Sequence, residues 1–288
     1  MGAAARRTAK VSTPSAWEAA ATRWRNPRLR RAVTGLAVGY LVLRWYLLLA
    51  SNDPVLAADA RTYWGAPLND PYPGPQLGLP GAYLYSPAFL QALTPLRLLP
   101  WEVFHALWAA LGFASLVFLV GPIGGALAVT FLPFVFRDLL VGNIHLMLGA
   151  AVVVGLRWPA VWAFPLLTKV TPGVGMLWFA GRGEWRRLGI ASGVTAVVTL
   201  ASFLLAPDLW ADWIARLRGD TETAGDLYVA LIGVRLVLAA GLVLYAARAN
   251  RPWLVPIAAV LVLPILWPDS LAILLACFPL LAVQRDAK

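Results

Sequence analysis

Asp59 is the residue best placed to do chemistry in this 288-residue chain. It stands in the segment Asp59-Ala60-Arg61-Thr62-Tyr63-Trp64, just after the first long apolar run. A carboxylate beside a sugar hydroxyl can take its proton as the oxygen attacks an anomeric carbon, because a neutral alcohol is a weak nucleophile. The same position equally suits an aspartate that caps a short loop helix. Further ionisable groups lie inside or at the edges of apolar runs: Arg44, Glu102, His105, Arg137, Asp138, His145, Lys169 and Arg235. Such groups are costly in a bilayer and usually face a cavity or a partner. Together they would suit a polar pocket able to hold an anionic headgroup. For Arg44, Arg97 and Arg235 the alternative is a side chain that reaches back to the interface and does nothing more. For Arg137 and Asp138 the alternative is a mutual ion pair. Two histidines without ligand spacing give no metal set, and the single Cys277 gives no internal disulfide. No metal or other cofactor is expected.

The elements that must position these groups are membrane helices. Hydrophobic residues make up 60% of the chain and charged residues 13%, against roughly half and a quarter in soluble domains. That leaves too little polar surface for a water-soluble ball, so an all-α, polytopic transmembrane bundle is expected. The net charge of +10 does not point to nucleic acid. Eight of the basic residues, Arg6, Arg7, Lys10, Arg23, Arg25, Arg28, Arg30 and Arg31, precede the first apolar run, which is the positive-inside pattern. Residues 1–31, with Trp17 and Trp24, read as a cytoplasmic basic amphipathic segment lying on the membrane surface. Residues 32–288 then form a single transmembrane domain. A first span covers 32–50. Residues 51–100 form a structured outer loop and an interfacial helix, since 87–99 is short and interrupted by Pro95.

Further spans are expected at about 101–121, 122–136, 144–156, 158–168, 173–181, 188–206, 227–247, 252–267 and 270–284. The acidic stretch 207–226 reads as an outer loop. Ten spans place both termini in the cytoplasm and the costly groups near the outer surface; eight or nine are alternatives. Only three basic residues are Lys, which together with the Ala, Gly, Pro and Leu usage suggests a GC-rich bacterial genome, so the expected location is a bacterial plasma membrane.

The order of these pieces resembles the GT-C superfamily of membrane glycosyltransferases, and most closely glycosyltransferase family 87. The resemblance rests on Asp59 with Tyr63 and Trp64, Pro67-Leu68-Asn69-Asp70-Pro71-Tyr72, Tyr83-Leu84-Tyr85-Ser86-Pro87, Pro95 and Leu99-Pro100. It continues through Gly142-Asn143-Ile144-His145 to Lys169 with Pro172 and the turn at Trp185-Arg186-Arg187. It implies an inverting hexosyltransferase that takes a sugar, mannose in the nearest comparison, from a polyprenyl-phosphate donor at the outer membrane face. The acceptor would be a glycolipid or an envelope glycan. By this resemblance Asp59 is the general base. Lys169, with Arg235 and Arg44 behind it, would hold the donor phosphate. Tyr63, Trp64, Tyr85, Asn143 and His145 would line the sugar and acceptor sites. A phosphate-cradling glycine loop is absent, in keeping with a lipid-linked donor. About four spans follow the 182–187 turn, fewer than such enzymes usually have, so the acceptor's identity is not implied. A transporter or flippase, suggested by the short broken segments, and a non-catalytic scaffold are the competing readings.

Overall fold

A computed structural model describes residues 56–73, 82–120 and 131–286, together with Gly39. The amphipathic segment, the first span and Arg44 lie outside the described residues. Among the described residues, twelve α-helices and no strand are found. In order they are α1 (Ala58–Gly65), α2 (Pro87–Arg97), α3 (Trp101–Val120), α4 (Leu132–Val141), α5 (His145–Gly155), α6 (Ala163–Lys169), α7 (Leu177–Gly181), α8 (Trp185–Leu205), α9 (Pro207–Ala224), α10 (Asp226–Arg248), α11 (Leu254–Leu261) and α12 (Cys277–Asp286). Tighter 3₁₀ segments cover Pro159–Trp162, Thr171–Met176 and Pro268–Ala276.

The chain is thus an all-α membrane protein, although few of its expected spans are straight helices. Among the described residues, three helices are long and apolar enough to cross a bilayer: Trp101–Val120, Trp185–Leu205 and Ala230–Arg248. α8 and α10 leave most of their apolar side chains uncovered by protein, Leu204 and Val237 among them. Such a surface is what lipid contact requires.

Elsewhere prolines and glycines break the apolar sequence into shorter pieces. α4 and α5 form a pair bent by 107° around Gly142-Asn143-Ile144. The run 158–181 breaks at Lys169-Val170, between α6 and the following 3₁₀ segment. The last two expected spans are less regular than their composition suggests. Instead of helices over 252–267 and 270–284 the structure has the eight-residue α11, an irregular connection, a 3₁₀ segment and α12. The stretch 207–226, expected to be a loop, is largely the eighteen-residue α9. Its apolar positions Trp210 and Trp213 pack inward, and Pro207 sits in its first turn, where a missing N–H costs nothing.

An aromatic core fixes α1 against its neighbours. Tyr63 on α1 is fully buried and meets Tyr85, Phe89 of α2 and Trp108 of α3. Its hydroxyl shares a 2.7 Å hydrogen bond with that of Tyr85. α2 begins at Ser86, whose Oγ accepts from the Phe89 N–H and donates to the Leu167 carbonyl in the last turn of α6. The N-cap of α2 therefore also ties it to the segment that carries Lys169.

Candidate active site

The site is built on the bend between α4 and α5. Gly142 ends α4 with φ of 75°, and its N–H and that of Asn143 both donate to the Asp138 carbonyl. Glycine takes this left-handed backbone without strain. Close approach also requires it, because a Cβ here would lie 2.7 Å from Ala60 Cβ on α1. The Trp108 indole donates to the Gly142 carbonyl at 2.8 Å, and the Ala57 N–H donates to the Leu140 carbonyl at 3.0 Å. α1 is thus pressed onto the bend.

This contact brings Asp59 and Asn143 together. Asn143 Oδ1 accepts from the Ile144 N–H at 2.7 Å, which turns the amide nitrogen outward. That nitrogen donates to Asp59 Oδ2 at 2.7 Å and to Asp269 Oδ2 at 3.3 Å. Asp59 does not cap its helix: Ala57 holds the cap position, with no side-chain cap hydrogen bond.

His145 lies beside Asn143, fully buried. Its Nδ1 is 3.0 Å from Asp138 Oδ1 and 3.1 Å from Asp269 Oδ2, so it must donate. Its Nε2 then accepts, from Lys169 Nζ at 2.9 Å and more weakly from Ser270 Oγ at 3.3 Å. Asp138 Oδ2 takes the Leu146 N–H and Asp269 Oδ1 takes Arg137 Nε. The mutual ion pair named as the alternative for Arg137 and Asp138 is therefore not formed: Arg137 pairs with Asp269, while Asp138 turns inward to His145.

Lys169 closes the arrangement. It ends α6 immediately before Val170, whose φ of 50° is unusual for a β-branched residue. Its ammonium gives one hydrogen bond to His145 and stands 5.9 Å from the centre of the Tyr85 ring.

Of the three clustered carboxylates, only Asp59 keeps an oxygen, Oδ1, that accepts no hydrogen bond from the described residues. Burial pushes the Asp59 carboxyl up from 3.8 to about 6, with Lys169 pulling it down and Asp269 adding to the rise.

Asp138, His145 and Asp269 offer three ligand-type atoms within 4.8 Å of one another. A metal ion on Nδ1 would force the ring proton onto Nε2, where it would face the Lys169 donor. The contacts present are those of a shared N–H, so these residues do not fit a cation as arranged.

Asp59, Asn143, His145, Lys169 and Tyr85 therefore share one cluster, with Tyr63 behind Tyr85. Trp64 points away: its indole donates to the Leu99 carbonyl and its ring packs on Trp101. Arg235 is engaged elsewhere, donating to the Leu261 and Leu263 carbonyls, both at 2.6 Å. The sequence reading missed Asp269 and Ser270. A signal was present: Trp267-Pro268-Asp269-Ser270 divides the last two apolar runs, on the side where the charge count places the other costly groups.

Comparison with known proteins adds one match. Residues 83–284 match the family described as glycosyltransferase family 87. No curated protein and no solved structure matches the chain.

Proposed function

The chain belongs to glycosyltransferase family 87 and is a membrane glycosyltransferase, and we propose that it transfers a sugar, mannose first, from a polyprenyl-phosphate donor to a glycolipid or envelope acceptor. In this reading the Asp59–Asn143–Lys169 cluster works at the outer face of a bacterial plasma membrane, with both termini in the cytoplasm. Asp59 Oδ1 takes the proton of the acceptor hydroxyl. The hydroxyl oxygen forms its bond to the anomeric carbon, and the bond to the phosphate oxygen breaks with inversion. The electron pair leaves with the phosphate. Two N–H groups of Lys169 not bound to His145 are available for phosphate oxygens, where charge develops as the bond breaks. Tyr85 and Tyr63 form the wall beside Lys169, while Trp64 lies off this cluster, against Leu99 and Trp101.

The observation that carries this reading is the Asp59 oxygen that accepts no hydrogen bond among the described residues, held beside Lys169 while the other two carboxylates are occupied. A base that titrates near 6 is ionised at neutral pH and still basic enough to accept a proton.

The test is transfer by protein reconstituted with polyprenyl-phosphate-mannose and a panel of glycolipid acceptors. Asp59→Asn should lower the rate by roughly 10²–10⁴-fold, and Lys169→Gln should weaken use of the donor. Full transfer by Asp59→Asn would remove Asp59 from the mechanism. Movement of the donor lipid across liposomes with no covalent product would favour a flippase.

A further inference from the structure

We propose that Asp269 is a positioning residue of the transfer site, a buried anchor from the C-terminal segment that fixes the orientations of Asn143 and His145 and, through them, of Asp59 and Lys169. The proposal rests on the transfer reading for its kinetic consequence and on geometry alone for its structural one.

Asp269 is 3% exposed and lies in the first turn of the 3₁₀ segment Pro268–Ala276. It has a partner on every side that faces the bend. Oδ1 takes the Arg137 Nε–H at 3.2 Å, while Oδ2 lies 3.3 Å from Asn143 Nδ2 and 3.1 Å from His145 Nδ1. The next residue, Ser270, reaches the opposite nitrogen of the same imidazole. One short stretch thus grips both edges of the His145 ring.

Two consequences follow from the donor and acceptor inventory. Asn143 has two amide hydrogens and its oxygen is already held by the Ile144 N–H. With one hydrogen directed to Asp269, the other falls on Asp59 Oδ2 and leaves Oδ1 open. His145 has two neutral tautomers. Carboxylates at Nδ1 select the Nδ1–H form, and this alone presents a lone pair to the Lys169 ammonium. Asp138 supports the same tautomer, so loss of Asp269 weakens the selection rather than reversing it. Asp269 itself stands behind Asn143 and His145, so it acts through them.

The charged and titratable groups facing Asp59 are Lys169, Asp269, His145 and Asp138, with Arg137 on the far side of Asp269 and Tyr63 and Tyr85 along the wall. Removing the Asp269 charge takes away a neighbour that disfavours ionised Asp59. Asp269→Asn should therefore move the acidic limb of the kcat–pH profile to lower pH. It should also lower kcat by roughly 10–100-fold, as loss of an orienting outer partner commonly does. KM for donor and acceptor should stay nearly constant. Asp269→Glu, which keeps the charge, should keep the limb in place and recover part of kcat. A residue needed only for folding would reduce the active fraction without moving the limb.

A second readout needs no substrate. The chain has two histidines, so ¹⁵N-histidine NMR of the protein in nanodiscs, assigned with a His105→Gln variant, reports the His145 tautomer directly. The expected wild-type signal is Nδ1–H, with a mixture in Asp269→Asn. An Nε2–H signal in folded wild type, or an Asp269→Asn variant with the wild-type kcat and pH limb, would overturn the proposal. Absence of transfer by wild type with every donor tried, alongside the Nδ1–H signal, would instead defeat the transfer reading and leave the anchor in place.

Discussion

At the level of single residues, one carboxylate differs from its neighbours by a missing hydrogen bond. Asp138 and Asp269 have both oxygens engaged, whereas Asp59 has Oδ1 without a donor among the described residues and its pKa raised to about 6 by burial. The catalytic consequence is an acidic limb: transfer should fall as the pH drops through about 6, where Asp59 gains a proton and loses its capacity to accept one. A kcat–pH profile that stays flat down to pH 4.5 would rule Asp59 out as the base. The same shift has a stability consequence of opposite sense. The folded-state value lies above the ordinary 3.8, so the folded protein holds this proton more tightly than the unfolded chain does. The associated stability is fully present below about 4 and is lost as pH rises through about 6. Asp59→Asn removes the ionisation. At pH 8 it should be more stable than wild type, by an unfolding free energy on the order of 1–3 kcal/mol, and at pH 4 the two should converge. A variant that is less stable than wild type at pH 8 would show that the carboxylate is not held at a cost.

The elements bring these residues together through two pieces of unusual backbone. The first is the α4–α5 bend, where Gly142 combines a positive φ with close contact to α1. Gly142→Ala meets both obstacles: a left-handed alanine costs about 1–2 kcal/mol, and its Cβ would also collide with Ala60 Cβ. Gly183 also has a positive φ, of 68°, but open space around it. Thermal unfolding should thus rank Gly142→Ala as clearly more damaging than Gly183→Ala, and transfer should fall in the first alone. Equal losses in the two would mean that α1 does not depend on this contact. The second piece is Val170, β-branched, exposed and held at φ 50° and ψ −62°, directly after Lys169. A non-glycine residue held there costs about 1–3 kcal/mol. Val170→Gly should leave the unfolding temperature unchanged or higher while slowing transfer, because the turn that aims Lys169 becomes looser. If the variant unfolds earlier, the conformation is no burden and the argument from strain is lost.

Across the whole molecule, the fold class was legible in hydropathy because a bilayer admits helices wherever apolar sequence is this dense. The number and shape of the spans were not, because prolines and glycines divide that sequence in ways that only packing decides, as at α11 and the segment after it. Within the site, Asp59, His145 and Lys169 were visible as ionisable residues at the edges of apolar runs, and Asn143 through the family resemblance alone. Asp269 also divides two apolar runs, but nothing local shows that a turn 126 residues after Asn143 returns to it. Arg235 shows the converse. The sequence presented it as a cation for the donor phosphate, yet its guanidinium donates to the Leu261 and Leu263 carbonyls where α11 ends. The last carbonyls of a helix lack partners within it, and in apolar surroundings each one left unsatisfied costs about 1–3 kcal/mol. The connection that starts there runs on to Asp269. Arg235 so engaged is expected to support the approach to that C-terminal anchor rather than to meet the donor phosphate. Arg235→Met should lower the unfolding temperature and reduce kcat, while KM for the polyprenyl-phosphate donor and the pH of the acidic limb stay near the wild-type values. The opposite pattern, unchanged stability with a raised donor KM, would return Arg235 to the phosphate and require α11 to end without its help.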